Sequence, residues 1–232
     1  HDVVVIGGGS AGYAAARTAR DAGADVAIVD QGPLGGLCIL RGCMPTKTIL
    51  RSAEIIALMN RAREFGLTSV TAQADLSAIV DRKNRLVQEF ADYRIAALRD
   101  PRFTLYESRA EFLSPHELRA GDVRIRGGAF VIATGSSAAE VAIPGLDEAG
   151  YLTSDEMLDI RRQPASLLVL GGGLVAVEFA QFFARIGTKV TMLQRSTTLL
   201  SDMDEDIGQA LAAAFQDEGT EVMTGVSFQL AR

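Results

Sequence analysis

The chain has 232 residues, 48% of them apolar and 22% charged, with 23 glycines, two cysteines and a formal net charge of −6. This composition supplies a buried core and excludes a disordered chain, and the acidic balance argues against a protein that tracks nucleic-acid phosphates. No apolar run reaches the roughly 20 residues of a membrane span, and the first residues lead straight into a strand with no signal peptide ahead of it; a cytoplasmic protein without nucleic-acid or membrane partners is expected.

Val3 to Ile6 is a β-branched run followed at once by Gly7-Gly8-Gly9-Ser10-Ala11-Gly12. A helix over 14–22 and a strand over 25–29, ending in Asp30, complete a βαβ unit with Gly-x-Gly-x-x-Gly in its turn. One glycine permits the tight turn, one lets a diphosphate approach the backbone, and one lets helix and strand pack closely. The helix N-terminus turns unpaired N–H groups and a positive dipole end toward that diphosphate. Asp30 stands where a carboxylate accepts hydrogen bonds from a ribose diol.

The next segment, Gly35-Gly36-Leu37-Cys38-Ile39-Leu40-Arg41-Gly42-Cys43-Met44-Pro45-Thr46-Lys47, carries both cysteines. Two thiols cannot form a disulfide framework. A Cys-x4-Cys zinc half-site wants two more ligands, which His1 and His116 are badly spaced to supply, so no metal site is expected. A redox-active pair is the better reading. Pro45 suits the first turn of a helix, so Cys43 sits near that helix's N-terminus, which favours a thiolate. Lys47, four residues on, lies on the same helical face.

Helices are predicted over about 43–65 and 76–98. Short strands follow over 103–107, 110–113, 117–119, 123–126 and 129–133, and read as an antiparallel meander leading into Ala133-Thr134-Gly135-Ser136. His116 and Gly121-Asp122 read as surface loop and turn. Residues 136–150, with Pro144-Gly145, read as a linker. The opening unit then recurs: a strand over 166–170, Gly171-Gly172-Gly173-Leu174-Val175-Ala176, a helix to Arg185, a strand over 188–193, and a third strand over 220–224. Gln194 stands as far beyond Gly171 as Asp30 stands beyond Gly7. Two such fingerprints in register make a far more specific signal than one.

Taken together, the first fingerprint, the Gly-Gly-x-Cys-x4-Cys-x-Pro-x-Lys segment, the Ala-Thr-Gly-Ser motif and the Gly-x-Gly-x-x-Ala turn resemble the class I pyridine nucleotide–disulfide oxidoreductases over the whole chain. That family includes dihydrolipoamide dehydrogenase, glutathione reductase and mercuric reductase. The resemblance implies an α/β fold: an FAD-binding Rossmann-like parallel sheet with a β-meander over 1–145, then part of an NAD(P)-binding domain over 146–232. A C-terminal dimerisation domain, carrying the acid–base histidine of a homodimer, is expected outside these residues, which read as the N-terminal portion of a longer protein.

By position, Cys38 resembles the interchange thiol and Cys43 the thiol that forms a charge-transfer pair with the flavin. Lys47 resembles the lysine near flavin N5, with Glu178 as its partner; without the resemblance both would read as solvated helix charges. FAD is implied at Gly7, Gly9, Ser10, Ala11, Gly12, Asp30, Gln31, Gly36, Leu37, Lys47, Ala110, Ala133, Thr134 and Gly135. The nicotinamide nucleotide is implied at Gly171, Gly173, Leu174, Val175, Ala176, Gln194 and Arg195. The implied reaction passes hydride between NAD(P)H and FAD and electrons to the Cys38–Cys43 disulfide, which serves a small disulfide, a dithiol or a metal ion. NADPH is favoured over NADH, because Gln194 does not repel a 2′-phosphate and Arg195 suits one, although Ser201 stands where glutathione reductases carry a second arginine. Two competing readings are a flavin-dependent reductase of a protein or quinone that makes no use of the disulfide, which the two cysteines argue against, and a non-catalytic nucleotide-binding module.

Overall fold

The computed structural model describes residues 1–68 and 72–231; Arg232, the last residue of the expected second domain, lies outside them. The elements run β1 (Val3–Ile6), α1 (Ser10–Asp21), β2 (Val26–Asp30), α2 (Leu37–Leu40), α3 (Cys43–Asn60), a 3-10 turn (Ala62–Phe65), α4 (Leu76–Leu98) and β3 (Thr104–Glu107). They continue with β4 (Ala110–Ser114), β5 (Glu117–Ala120), β6 (Val123–Arg126), β7 (Ala129–Ile132), α5 (Leu146–Ala149), α6 (Ser154–Met157), β8 (Ser166–Leu170), α7 (Leu174–Arg185), β9 (Lys189–Gln194), α8 (Glu205–Asp217) and β10 (Glu221–Thr224). Among the described residues no helix is long and apolar enough to cross a membrane.

The chain packs as two compact units, residues 1–45 with 84–137 and residues 46–83 with 138–232. The sequence reading keeps 46–83 with the first domain. Their packing is with the second unit, because Ile49, Ala53, Leu76 and Val80 share a core with Phe179, Phe182, Phe183 and Phe215.

The first unit is built on a parallel sheet ordered β3-β2-β1-β7. Its strands are apolar on both faces, as a covered parallel sheet requires. Val4 and Ile6 of β1 and Ala27 and Val29 of β2 face Leu118, Ala120 and Ile125 of the antiparallel β4-β5-β6 sheet. The intervening Val5, Val26 and Ile28 face Ala16 of α1 and Leu98 of α4.

This two-sided burial corrects the five-stranded meander expected from sequence. In β3, Leu105 packs on one side of the parallel sheet and Tyr106 on the other; in β7, Val131 and Phe130 do the same. Both strands therefore join the parallel sheet, β3 beside β2 and β7 beside β1. Only β4, β5 and β6 form the meander, and β5 and β6 alternate apolar with charged residues because one face is wet. The Arg119–Glu111 ion pair crosses that exposed face.

The second unit repeats the βαβ unit in a parallel sheet ordered β10-β9-β8. α7 buries Val177, Phe179, Ala180, Phe182 and Phe183 in a core shared with Val190 and Met192 of β9. The sequence reading leaves out α8, yet its signal is present: Asp204 stands at the N-cap position before a first turn holding Glu205 and Asp206, and Ile207, Leu211 and Phe215 repeat every four residues. Lys83, 4% exposed, is satisfied by the Leu158 carbonyl at 2.9 Å and by Asp159 at 2.7 Å.

At the end of α8, Glu218 accepts from Arg185 Nε of α7 at 2.9 Å and from the same guanidinium's second nitrogen. The Arg185 hydrogen bonds hold the Glu218 carboxyl below its ordinary range, with help from Arg185 charge and Gln181. A depressed carboxyl stabilises the fold above its unfolded pKa of about 4.3 and loses that contribution as the pH falls through its folded value. Glu218→Gln should therefore lower the denaturant midpoint at pH 7 and flatten its decline below pH ~4.5; equal pH slopes for the two proteins would dismiss the coupling.

Candidate active site

A groove of ≈ 540 Å³ opens at the C-terminal ends of the first unit's parallel strands. Its size suits a cofactor cleft and its position is where nucleotides bind in open α/β sheets. Of the residues singled out from sequence, Gly7, Gly9, Asp30, Gln31, Gly36, Leu37, Ala110, Ala133, Thr134 and Gly135 line it. Ser10, Ala11 and Gly12 form the first turn of α1 beside it, with N–H groups that have no intrahelical acceptor. Sequence reasoning missed Ser108 and Arg109 in the β3–β4 turn, together with Leu40 and Arg41, which also line the groove. No local pattern marks the β3–β4 pair, because their place follows from β3 joining the parallel sheet.

The three fingerprint glycines are constrained in different ways. Gly7 has φ +100, and a Cβ there would overlap the Ala133 carbonyl oxygen. A Cβ on Gly12 would overlap the Gly7 carbonyl oxygen, so Gly12 lets α1 seat on β1. A Cβ on Gly9 would meet only Gly36 Cα, at 3.7 Å, so a side chain there would enter the groove and not the protein.

Gly36, at φ +78, is the reciprocal of Gly9. A Cβ on it would overlap Gly9 Cα, so the backbone of the cysteine segment lies directly on the first glycine turn. Asp30 is fixed by two backbone donors: Gly8 N–H gives to Oδ2 at 2.6 Å and Gly32 N–H to Oδ1 at 2.7 Å. A carboxylate has about four acceptor sites, so these bonds aim the group and leave capacity for ribose hydroxyls.

Cys38 lies on the single turn of α2, half-buried, and Cys43 begins α3, exposed; both are thiols. Gly42 between them folds back until a Cβ on it would lie 3.3 Å from Cys38 Cα. Lys47, one turn into α3, forms an ion pair with Glu178 of α7 within the second unit. The structure thus joins two residues 131 positions apart that the sequence reading had paired.

The second glycine turn carries Gly171 at φ +111, and Gly173 has open space where a Cβ would stand. Leu174 and Val175 begin α7 exposed, at 61% and 54%. Gln194 does not copy Asp30. It is 8% exposed, lies against Gly172, and points its amide toward the Thr198 carbonyl. Arg195, next in chain, is exposed.

The pyridine nucleotide-disulphide oxidoreductase family matches residues 1–232. The chain belongs to that family. Mercuric reductase of Staphylococcus aureus is 36% identical over 230 residues, covering 99% of this chain and 42% of that protein. Dihydrolipoyl dehydrogenase of Acholeplasma laidlawii is 35% identical over 229 residues, covering 97% and 68%. The solved structure of the HOCl-induced flavoprotein disulfide reductase RclA from Escherichia coli matches with a TM-score of 0.81 at 30% identity, over 99% of this chain and 50% of that one. The chain thus spans about two-fifths of the mercuric reductase and half of RclA. For a member of this family the groove fits a dinucleotide: Gly9 leaves room for a diphosphate, α1 offers amides, and Asp30 offers a pre-aimed carboxylate.

Gly36→Ala should push the two loops apart. A Cβ at positive φ in contact with backbone should lower stability by about 1–3 kcal/mol, read by denaturant unfolding, and weaken FAD binding in step. An alanine variant that equals wild type in both would show the Gly9–Gly36 approach to be unimportant.

Proposed function

We propose that this chain is the nucleotide-binding portion of a flavin-dependent disulfide oxidoreductase that serves a small disulfide, a dithiol or a thiophilic metal ion, and that works as a homodimer in the whole protein. Residues 1–145 hold FAD and residues 146–232 belong to the NAD(P)-binding domain. The single observation that carries this reading is the contact of Gly36 with Gly9, which lays the cysteine segment against the wall of the dinucleotide groove. Mercuric reductases, dihydrolipoyl dehydrogenases and RclA among its relatives agree with it.

In that groove Asp30 holds the ribose diol, the α1 amides and Gly9 receive the diphosphate, and Gly36, Leu37 and the Ala133–Gly135 backbone line the remainder. Bound there, FAD supplies two-electron transfer between a nicotinamide and the cysteine pair. Cys43 opens α3, where the helix dipole favours a thiolate. Glu178 holds the Lys47 ammonium on the helical face one turn beyond Cys43, so that a cation accompanies the negative charge. The reduced pair acts by exchange. The Cys38 thiolate attacks a substrate disulfide, forming a mixed disulfide and releasing one substrate thiolate. The Cys43 thiolate then attacks the Cys38 sulfur, releasing the second substrate thiolate and closing the Cys38–Cys43 disulfide.

The reading predicts that the whole protein carries FAD and gains two titratable thiols per chain on reduction by NADPH. Gly9→Val should abolish flavin binding while the fold survives, since the new side chain enters the groove; Cys38→Ser should bind flavin and gain none. A yellow wild-type protein with no gain in thiols would favour a flavin reductase that bypasses the disulfide, and a colourless one would sink the FAD assignment.

Nucleotide preference follows from the end of β9. Gln194 is neutral and turned inward, so no carboxylate meets a ribose 2′ position, and Arg195 is the exposed strand-end cation. NADPH is therefore the proposed donor. One charge-assisted contact corresponds to about 1–3 kcal/mol, or roughly 5- to 150-fold in kcat/KM. Gln194→Glu with Arg195→Ala should shift the NADPH/NADH ratio toward NADH by that order; NADH preference in the parent would reject the assignment.

A further inference from the structure

Arg109 is placed by β3, not by any motif. The β2–β3 register sets Glu107 beside Asp30, so the residues just after β3 stand at the ribose end of the groove, away from the diphosphate loop at Gly7 and Gly9. Arg109 lines the groove together with Asp30 and Gln31, and it also lines a second cavity of ≈ 550 Å³ beside the β5–β6 turn. Arg109, with Ser108 and Ala110, therefore stands on the wall between two open spaces. Nearby arginines are committed to carboxylates: Arg99 to Glu107, Arg102 to Asp100 and Arg119 to Glu111. Arg109 is exposed and, among the described residues, makes no ion pair.

We propose that Arg109 stacks its guanidinium on the adenine of the bound dinucleotide and so selects a flavin that carries adenosine; this rests on the FAD reading above. A guanidinium is planar, delocalised and weakly hydrated, and it lies on aromatic faces where a lysine ammonium does not. Its place beside Asp30 and away from the glycine turn suits a base and not a diphosphate. The inference commits the adenosine half of the site to a side chain, where the phosphate half relies on backbone amides.

The test is calorimetric titration of flavin-stripped whole protein with FAD, ADP and FMN, using wild type, Arg109→Ala and Arg109→Lys. Loss of one base stack should raise the Kd for FAD and for ADP about 5- to 100-fold. Both variants should show it, because lysine keeps the charge and loses the plane. FMN, which has no adenosine, should bind all three proteins alike. Wild-type affinity in Arg109→Lys would make Arg109 a phosphate contact, and an unchanged Kd in Arg109→Ala would remove it from the site; either overturns the proposal, as would a parallel loss of FMN binding. A wild-type protein that binds neither FAD nor ADP would instead refute the FAD reading itself.

Discussion

Two α-carbons that touch, those of Gly9 and Gly36, govern the geometry of the first unit's groove. The backbones approach this closely because Gly36 has no Cβ, and Gly36 also occupies a positive φ that other residues avoid. One consequence is steric: the first glycine turn and the cysteine segment form one wall and not two. Another is electrostatic. Gly9, the N-cap of α1, lines the groove with no side chain of its own, and the first N–H groups of that helix have no intrahelical acceptor. Asp30 completes the arrangement from the next strand, held by Gly8 and Gly32 before any ligand arrives. Such preorganisation leaves little reorganisation to be done on binding.

The two βαβ units use one backbone device for different side-chain ends. At the end of β2 a carboxylate reaches the glycine turn and takes a hydrogen bond from it. At the end of β9 a glutamine turns inward toward Thr198, and the adjacent arginine is left outside. The difference lies in two residues on similar scaffolds: a carboxylate held at the glycine turn of one unit, and an inward-turned amide beside an exposed guanidinium in the other.

Much of this was legible in the residues. The βαβ units and α4 at its full length follow from glycine spacing and apolar period, and the pairing of Lys47 with Glu178 is what the family resemblance implies. What escaped depended on tertiary partners. Phe103 to Glu107 reads as one short strand among several, and only the burial of Leu105 and Tyr106 on opposite faces moves it into the parallel sheet. Arg109 could not be found before that step, since its neighbourhood exists only once β3 pairs with β2. Residues 46–83 show the same limit: their helical period was plain, but the periodicity of Ile49, Ala53 and Val80 does not name the core they enter.

The fold-back at Gly42 has a kinetic consequence for the proposed exchange. Four intervening residues and a backbone that returns to Cys38 Cα give the second thiol a local concentration no solvent thiol can match. In the proposed exchange a mixed disulfide at Cys38 would then be resolved from within before a competing thiol arrives, and the partner molecule would leave quickly. The tether thus acts as a clock on the intermediate. Lengthening it would leave each half-reaction possible while allowing the trapped adduct to persist long enough to be isolated.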